Sequence, residues 1–368
     1  MRIGIDAHAL GGRAGGNESY MRMLLHALAT YPNLDDEVLA FVHDETDFDS
    51  VFSNKSLQAC RMPQVSSYLR TPVLLPWLAH KKRLDVLHVQ YTAPPFCPCP
   101  YVVSMHDVVA LRFPETMPWR ERTRLRLLSG RTLRCAARIF VLTKAMQTEI
   151  QSFYDIPDAK FDLVQPTVEP IFKPIDDGSI KAEVRKKYNL PESFVLYVGQ
   201  LQPRKNLVRL AEACAKISRQ GVDQHLVIVG KKAWLYDEML STIDRLNMSR
   251  RIHFTGYVTQ EDLPVLYNLA NVFAFPSLYE GFGIPVLEAL ACGTPTLIST
   301  DPALCEVAGG AALSCNPFDV DSIADSIGLL ATDSTIREHC KKEGIIRASD
   351  YSNQKMAKAA YNGYHAIK

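Results

Sequence analysis

The chain has 368 residues, a formal net charge of +1, and 47% apolar against 22% charged residues. That length suits two domains with a core each, and the composition excludes a long disordered tail. Near-neutral charge gives no whole-molecule field favouring nucleic acid, and the nine cysteines include no CxxC pair, which argues against a zinc site and for a reducing, cytoplasmic compartment. The first apolar run, residues 2–6, reads as a strand rather than a signal peptide. Further strands are expected at 38–43, 86–90, 101–105 and 138–142, each followed by a helical pattern or a polar loop. The same rhythm resumes at 195–199, 226–230, 252–255, 272–276 and 296–299. Strands alternating with helices imply parallel sheets covered on both faces. Between the two series stand Pro166, Pro170 and Pro174, which suit neither a helix nor a strand interior and mark a linker. The expected division is therefore 1–170 and 171–350, with a last helix over 351–368 that crosses back to the first domain. No apolar stretch approaches the roughly 18 residues of a membrane-spanning helix.

Four motifs carry chemistry. The first runs from Pro276 to Pro295 and contains Glu280, Gly281, Gly283, Pro285 and Glu288. It follows an expected strand. Its glycines permit close backbone approach, and its proline suits a helix start, where N–H groups can receive a diphosphate. Glu280 falls in the loop and Glu288 in the helix, too far apart for a shared-turn acid/base pair. A carboxylate that accepts two hydrogen bonds from a diol is the better fit. The bland alternative is a helix-surface glutamate beside loop glycines. The second motif is Gly199 to Asn206, in which Arg204 and Lys205 follow a strand and a glycine turn, an arrangement that suits phosphate. On its own such a pair is more often solvated surface. The third is His106–Asp107 at a strand end, where a core histidine with a local partner is the ordinary outcome. The fourth is the loop from Gly11 to Tyr20, with Gly15, Gly16 and Asn17 at the start of an amphipathic helix. It departs from the GxGxxG dinucleotide fingerprint and otherwise reads as a surface loop.

Together these residues resemble glycosyltransferase family four, the group one glycosyltransferases. Glu280 and Glu288 match the E-x7-E motif, and GFGIPVLEALACGTP closely resembles the family's pattern. The resemblance implies a GT-B architecture: an α/β chain of two Rossmann-like domains with parallel sheets facing a central cleft, the first for the acceptor and the second for a nucleotide-sugar donor. It implies retention of anomeric configuration, no metal, and no cofactor beyond a GDP- or UDP-linked donor. Glu280, His106, Lys205 and Arg204 are then the catalytic set. Donor contacts fall on Gly15, Gly16, Gly199, Arg204, Lys205, Tyr257, Val258, Glu280, Gly281, Phe282, Gly283, Ile284 and Glu288. Within that set Arg204 and Lys205 neutralise the diphosphate, Glu288 holds the ribose, and the loop at Tyr257 and Val258 meets the base. Asn17 and Asp107 fall on the acceptor side. The stretch from His106 to Glu115 is similar to mannosyltransferases of surface polysaccharide assembly, which implies GDP-mannose and a glycan or lipid-linked acceptor. No nucleic acid is implied.

Two strings need separate readings. Asp319 and Asp321 form a D-x-D that reads as helix capping rather than a metal site. Residues 120–138 hold seven arginines and one acid, Glu121, giving 7 − 1 = +6 with leucines between. Two readings stand: a solvated amphipathic helix, or a peripheral contact with anionic lipid. Rivals for the whole chain are another enzyme of similar shape, such as a nucleotide-sugar epimerase or a phosphorylase, and a non-catalytic sugar-nucleotide-binding subunit.

Overall fold

The structure is a computed structural model that describes residues 1–11, 15–32, 36–43, 48, 57–230, 236–246 and 248–367. The chain divides into two compact units, residues 1–167 with 351–368, and residues 168–350.

Unit 1 is built on seven parallel strands: β1 (Arg2–Asp6), β2 (Glu37–His43), β3 (Leu57–Met62), β4 (Val86–Gln90), β5 (Tyr101–Met105), β6 (Arg138–Val141) and β7 (Phe161–Leu163). Their order across the sheet is β3-β2-β1-β4-β5-β6-β7. β4 and β5 are buried at every residue, as strands covered on both faces must be, and this is why they read as unbroken apolar runs. The chain leaves β1 toward β2 on one side and returns at β4 on the other. The crevice beyond the carboxyl ends of β1 and β4 is thus a topological switch point, where open α/β sheets bind ligands. Helix α1 (Gly16–Ala29) opens at that point. Helix α2 (Trp119–Cys135) carries the arginine run. Arg138 is not part of it. That residue begins β6, and its guanidinium forks onto Asp162 at 2.6 and 2.7 Å.

Unit 2 repeats the plan with β8 (Phe194–Val198), β9 (His225–Val229), β10 (Ile252–Gly256), β11 (Val272–Phe275), β12 (Thr296–Ser299) and β13 (Leu313–Cys315). These strands are also parallel, in the order β10-β9-β8-β11-β12-β13, so its switch point lies between β8 and β11. The helices that matter below are α3 (Leu207–Arg219), α4 (Ile284–Ala291), α5 (Pro302–Ala308) and α6 (Val320–Thr332). Asp319 caps α6 by accepting from the Asp321 amide at 2.9 Å, and Asp321 pairs with Lys216 at 2.6 Å. Both acids of the D-x-D string are engaged in holding the helix.

The last helix, α7 (Asn353–His365), returns to unit 1 and packs on α1, β6 and β7. Its Tyr364 hydroxyl lies 2.7 Å from His88 Nδ1, whose Nε2 lies 2.8 Å from the Ser104 hydroxyl, which in turn meets Tyr20 at 3.1 Å. All four residues are buried. Burial pushes the His88 imidazole down to about 3, so it is neutral and joins its two partners as one donor and one acceptor. Among the described residues no helix is long and apolar enough to cross a membrane.

Candidate functional site

In unit 2 the turn after β8 and the loop after β11 converge at the switch point. Lys205 Nζ bonds Glu280 Oε1, and Arg204 Nη1 lies 3.1 Å from Glu280 Oε2 and donates to the Tyr279 carbonyl at 2.9 Å. Lys205 Nζ also sits 4.9 Å above the Phe275 ring. Burial opposes the charge on Glu280, but Lys205 and then Arg204 outweigh it and hold the carboxyl below its usual range. One glutamate therefore occupies both cations. Asn206 explains how they are aimed. It takes a left-handed backbone, φ 62°, between the turn and α3, and its amide donates to the Pro276 and Pro317 carbonyls at 3.0 and 2.6 Å. Those two bonds tie the cationic turn to the loops after β11 and β13.

The glutamate loop is held just as closely. Gly283 caps α4 at φ +93°, and a Cβ there would lie 2.5 Å from Leu304 Cδ2, so no other residue fits without strain. Asp301 caps α5 through the Ala303 and Leu304 amides at 3.0 and 3.1 Å and reaches the Glu280 amide at 3.4 Å. Burial, reinforced by the Glu280 charge, pushes its carboxyl up to about 6. Glu288, inside α4, is buried and accepts from the Tyr267 hydroxyl at 2.8 Å. Burial pushes this carboxyl up to about 8, despite that bond. The two glutamates thus sit in opposite electrostatic states: Glu280 ionised between cations, Glu288 largely protonated at pH 7.

In unit 1 the corresponding edge is formed by the ends of β4 and β5 and the start of α1. His106 follows β5, is buried, and packs against Tyr20 and Tyr91 with ring centroids 4.4 and 5.3 Å away. Its Nε2 has no hydrogen-bond partner among the described residues, nor has Nε2 of Gln90, the last residue of β4. Burial pushes His106 down to about 4 against the pull of Asp107, so the ring is neutral at pH 7. Tyr91, at φ 58°, donates to Asp107 Oδ2 at 2.9 Å and reaches Asn17 Oδ1 at 3.4 Å. Gly15, at φ 65°, precedes α1, and its carbonyl accepts from the Glu18 and Ser19 amides at 3.1 Å each. Buried polar atoms without partners are uncommon in folded proteins and call for an explanation. Two such atoms at the carboxyl ends of adjacent strands fit a polar ligand at this edge.

Comparison with known proteins shows the family and the fold. The description "Glycosyl transferases group 1" matches residues 180–347, and "Glycosyltransferase Family 4" matches residues 14–171. O-antigen chain mannosyltransferase B of Escherichia coli is 30% identical over 269 residues, spanning 72% of this chain and 70% of that protein. The chain belongs to the group 1 glycosyltransferases of family 4. Sucrose-phosphate synthase from Thermosynechococcus elongatus is similar in structure, with a TM-score of 0.80 at 21% identity over 99% of this chain and 98% of that one. Anabaena HepE in complex with UDP and glucose gives 0.75 at 17% identity over 98% of each chain. The architecture is GT-B.

In this glycosyltransferase the residues expected from the sequence fall into two groups. Within unit 2, Gly199, Arg204, Lys205, Glu280, Gly281, Phe282, Gly283, Ile284 and Glu288 cluster on the turn after β8, the loop after β11 and α4. Tyr257 and Val258 stand apart, following β10 two strands from β8, with Tyr257 exposed and Val258 buried. Within unit 1, Gly15, Gly16, Asn17, His106 and Asp107 share one sheet edge, while Gly12 and Arg13 of the same loop lie outside the described residues. Three residues that sequence reasoning missed complete these arrangements, Tyr267, Asp301 and Tyr91, and a fourth, Asn206, was read as part of the second motif without its tethering role. Asn206 and Asp301 carried a signal, since each directly precedes a helix and Asp and Asn are favoured caps. Tyr267 and Tyr91 carried none, because a tyrosine reads as core until its hydroxyl's partner is seen.

Proposed function

We propose that this chain is a retaining hexosyltransferase that moves mannose from GDP-mannose to a hydroxyl of a glycan, glycolipid or lipid-linked acceptor at the cytoplasmic face of the membrane, in surface polysaccharide or glycoconjugate synthesis. Unit 2 takes the donor and unit 1 the acceptor. The observation that carries the reading is the Arg204–Lys205–Glu280 cluster at the unit 2 switch point. In the free chain Glu280 is the counter-ion of both cations. An arriving diphosphate replaces it, being the stronger multivalent anion, and frees the carboxylate to accept hydrogen bonds from the sugar hydroxyls. Glu288 receives the ribose hydroxyls, and the loop at Tyr257 and Val258 meets the base.

The C1–O bond to the β-phosphate then breaks while the acceptor oxygen bonds to C1 on the same face. The acceptor proton passes to the departing phosphate oxygen. Arg204 and Lys205 meet the charge that grows on the leaving group, which is electrostatic stabilisation by groups already in place. The neutral His106 imidazole offers Nε2 to the sugar. Two side-chain cations make a divalent ion unnecessary for this charge, so the reaction proceeds without metal or resident cofactor. The mannosyl assignment leans on the mannosyltransferase relatives.

The test is a donor panel: GDP-mannose, GDP-fucose, UDP-glucose, UDP-galactose, UDP-N-acetylglucosamine and ADP-glucose, each with EDTA present. Thermal stabilisation and slow release of nucleoside diphosphate with GDP-mannose alone is the expected result. Response to a different donor replaces the sugar and keeps the class. Folded protein that responds to none of them sinks the enzymatic reading in favour of a silent subunit.

A further inference from the structure

We propose that Arg70, held beside Asp6 at the carboxyl end of β1, is the anion-binding residue of the acceptor site, so that the acceptor carries a phosphate or carboxylate group. This deepens the proposed function and rests on it for the assignment of the acceptor to unit 1. β1 ends at Asp6, which is buried. The turn that follows brings His8 back onto it, with Nδ1 3.0 Å and the backbone amide 3.4 Å from Asp6 Oδ1. Burial opposes the charge on Asp6, but His8 and then Arg70 outweigh it and hold the carboxyl below its usual range. Arg70 opens the π-turn Arg70–Leu74, a widened helical ladder of a kind frequent at functional sites. Its side chain is 11% exposed, and Nε lies 3.5 Å from Asp6 Oδ2. That separation balances charge, yet Nε has no hydrogen-bond partner among the described residues.

Unit 1 also shows what a purely structural pair looks like. Arg138 forks onto both oxygens of Asp162 and donates further to the Ala159 and Phe161 carbonyls. Arg70 is more deeply buried than Arg138 and has no such set. His8 occupies Oδ1 of Asp6, which leaves Arg70 no second oxygen to fork onto. A buried guanidinium with unused donors is costly and calls for an explanation. Its planar fork fits the paired oxygens of a phosphate or carboxylate, whereas a neutral hydroxyl offers one oxygen and no charge. The position agrees. This end of β1 is the unit 1 switch point, where open α/β sheets bind ligands. The buried His88 lies near enough to Asp6 and to His106 for both to act on its ionisation. Arg70 therefore belongs to the same edge as the Nε2 atoms of His106 and Gln90, which also lack partners among the described residues. Asp6 does in unit 1 what Glu280 does in unit 2: it balances a cation that the ligand will claim.

The test is calorimetric titration of the full chain with mannose, mannose 6-phosphate and glucuronate. A charged sugar is expected to bind about tenfold or more tighter than mannose, and the tighter of the two tells phosphate from carboxylate. Arg70→Gln should abolish that preference. Arg70→Lys keeps the charge without the fork and should retain only part of it. Asp6→Asn keeps an oxygen for His8 but removes the competing charge, so it should tighten binding of the charged sugar. A merely structural Arg70–Asp6 pair predicts no such gain. Where Arg70→Gln fails to fold, Arg70→Lys and Asp6→Asn carry the test with opposite signs. Folded wild-type protein that binds neither charged sugar better than mannose overturns the proposal. So does a preference that survives Arg70→Gln, or one lost in Lys205→Ala instead, which would place the anion in unit 2. The donor panel reads Arg204 and Lys205 while this titration reads Arg70, so either reading can fail while the other stands.

Discussion

The two switch points are built alike and left in opposite electrostatic states. In unit 2 the cations of the turn after β8 are neutralised by Glu280 from the loop after β11, and Asn206 and Asp301 secure both loops. In unit 1 the edge of the sheet leaves the buried Nε2 atoms of His106 and Gln90 without partners among the described residues. A site that must bind a multivalent anion can hold its cations ready on an internal carboxylate, at little cost to stability. A site that must read hydroxyl groups forgoes hydrogen bonds in its free state, because any internal partner would compete with the ligand. Stability and function should therefore be coupled differently in the two units.

Substituting the buried cation should have the largest effect. Lys205→Ala is expected to lower turnover by about 10²–10³-fold and, in denaturant titration, to cost up to about 3 kcal/mol because Glu280 keeps only Arg204. Adding Glu280→Gln should recover much of that stability and none of the turnover. Wild-type turnover in Lys205→Ala would remove it from the site. His106→Phe should behave the other way. The ring packing on Tyr20 and Tyr91 is kept and the unpartnered nitrogen is gone, so stability holds or rises by about 1 kcal/mol while turnover falls roughly 10- to 100-fold. A stability loss as large as that of Lys205→Ala would erase the contrast between the units.

The smallest effect is a pH dependence that separates the two glutamates. Glu288 is held protonated up to about 8, and ribose hydroxyls donate best to a carboxylate. Binding of the intact nucleotide sugar should then release a proton, and affinity should rise as pH increases toward about 8, by at most about tenfold per unit. Calorimetry in buffers of different ionisation enthalpy detects the proton directly. In the free chain the sign is opposite: a raised carboxyl favours the folded state at low pH, and that contribution fades as pH rises from the usual glutamate range to about 8. Glu288→Gln should flatten both curves. Glu280, held below its usual range, should add no slope above pH 6.

Much of this was legible in the sequence, for reasons that also explain the failures. The central strands β1, β4, β5, β8, β9, β11 and β12 announce themselves as apolar runs because both their faces are buried. The strands that went unread, β3, β7 and β13, all lie at sheet edges. There only part of each strand is covered; in β3 only Leu57 and Met62 are buried. Glu280, Glu288, Arg204 and Lys205 were legible as motif residues, but their mutual neutralisation was not, since it depends on loops 75 residues apart meeting in space. Arg138 shows the converse. It was read twice, as the end of the arginine run and as the start of a strand, and the second reading holds: it is the paired first residue of β6.

Helix α7 has a consequence for how the molecule is made. Unit 2 is one continuous stretch of chain and can complete its fold as soon as it has emerged from the ribosome. Unit 1 cannot. Residues 1–167 are synthesised first, yet the buried Tyr364–His88–Ser104–Tyr20 chain and the cover over β6 and β7 wait for residues 353–365. The earlier-made part therefore spends the synthesis of about 180 further residues with β6 and β7 uncovered on the face that α7 later takes, and of the two units it is the one for which a chaperone matters most.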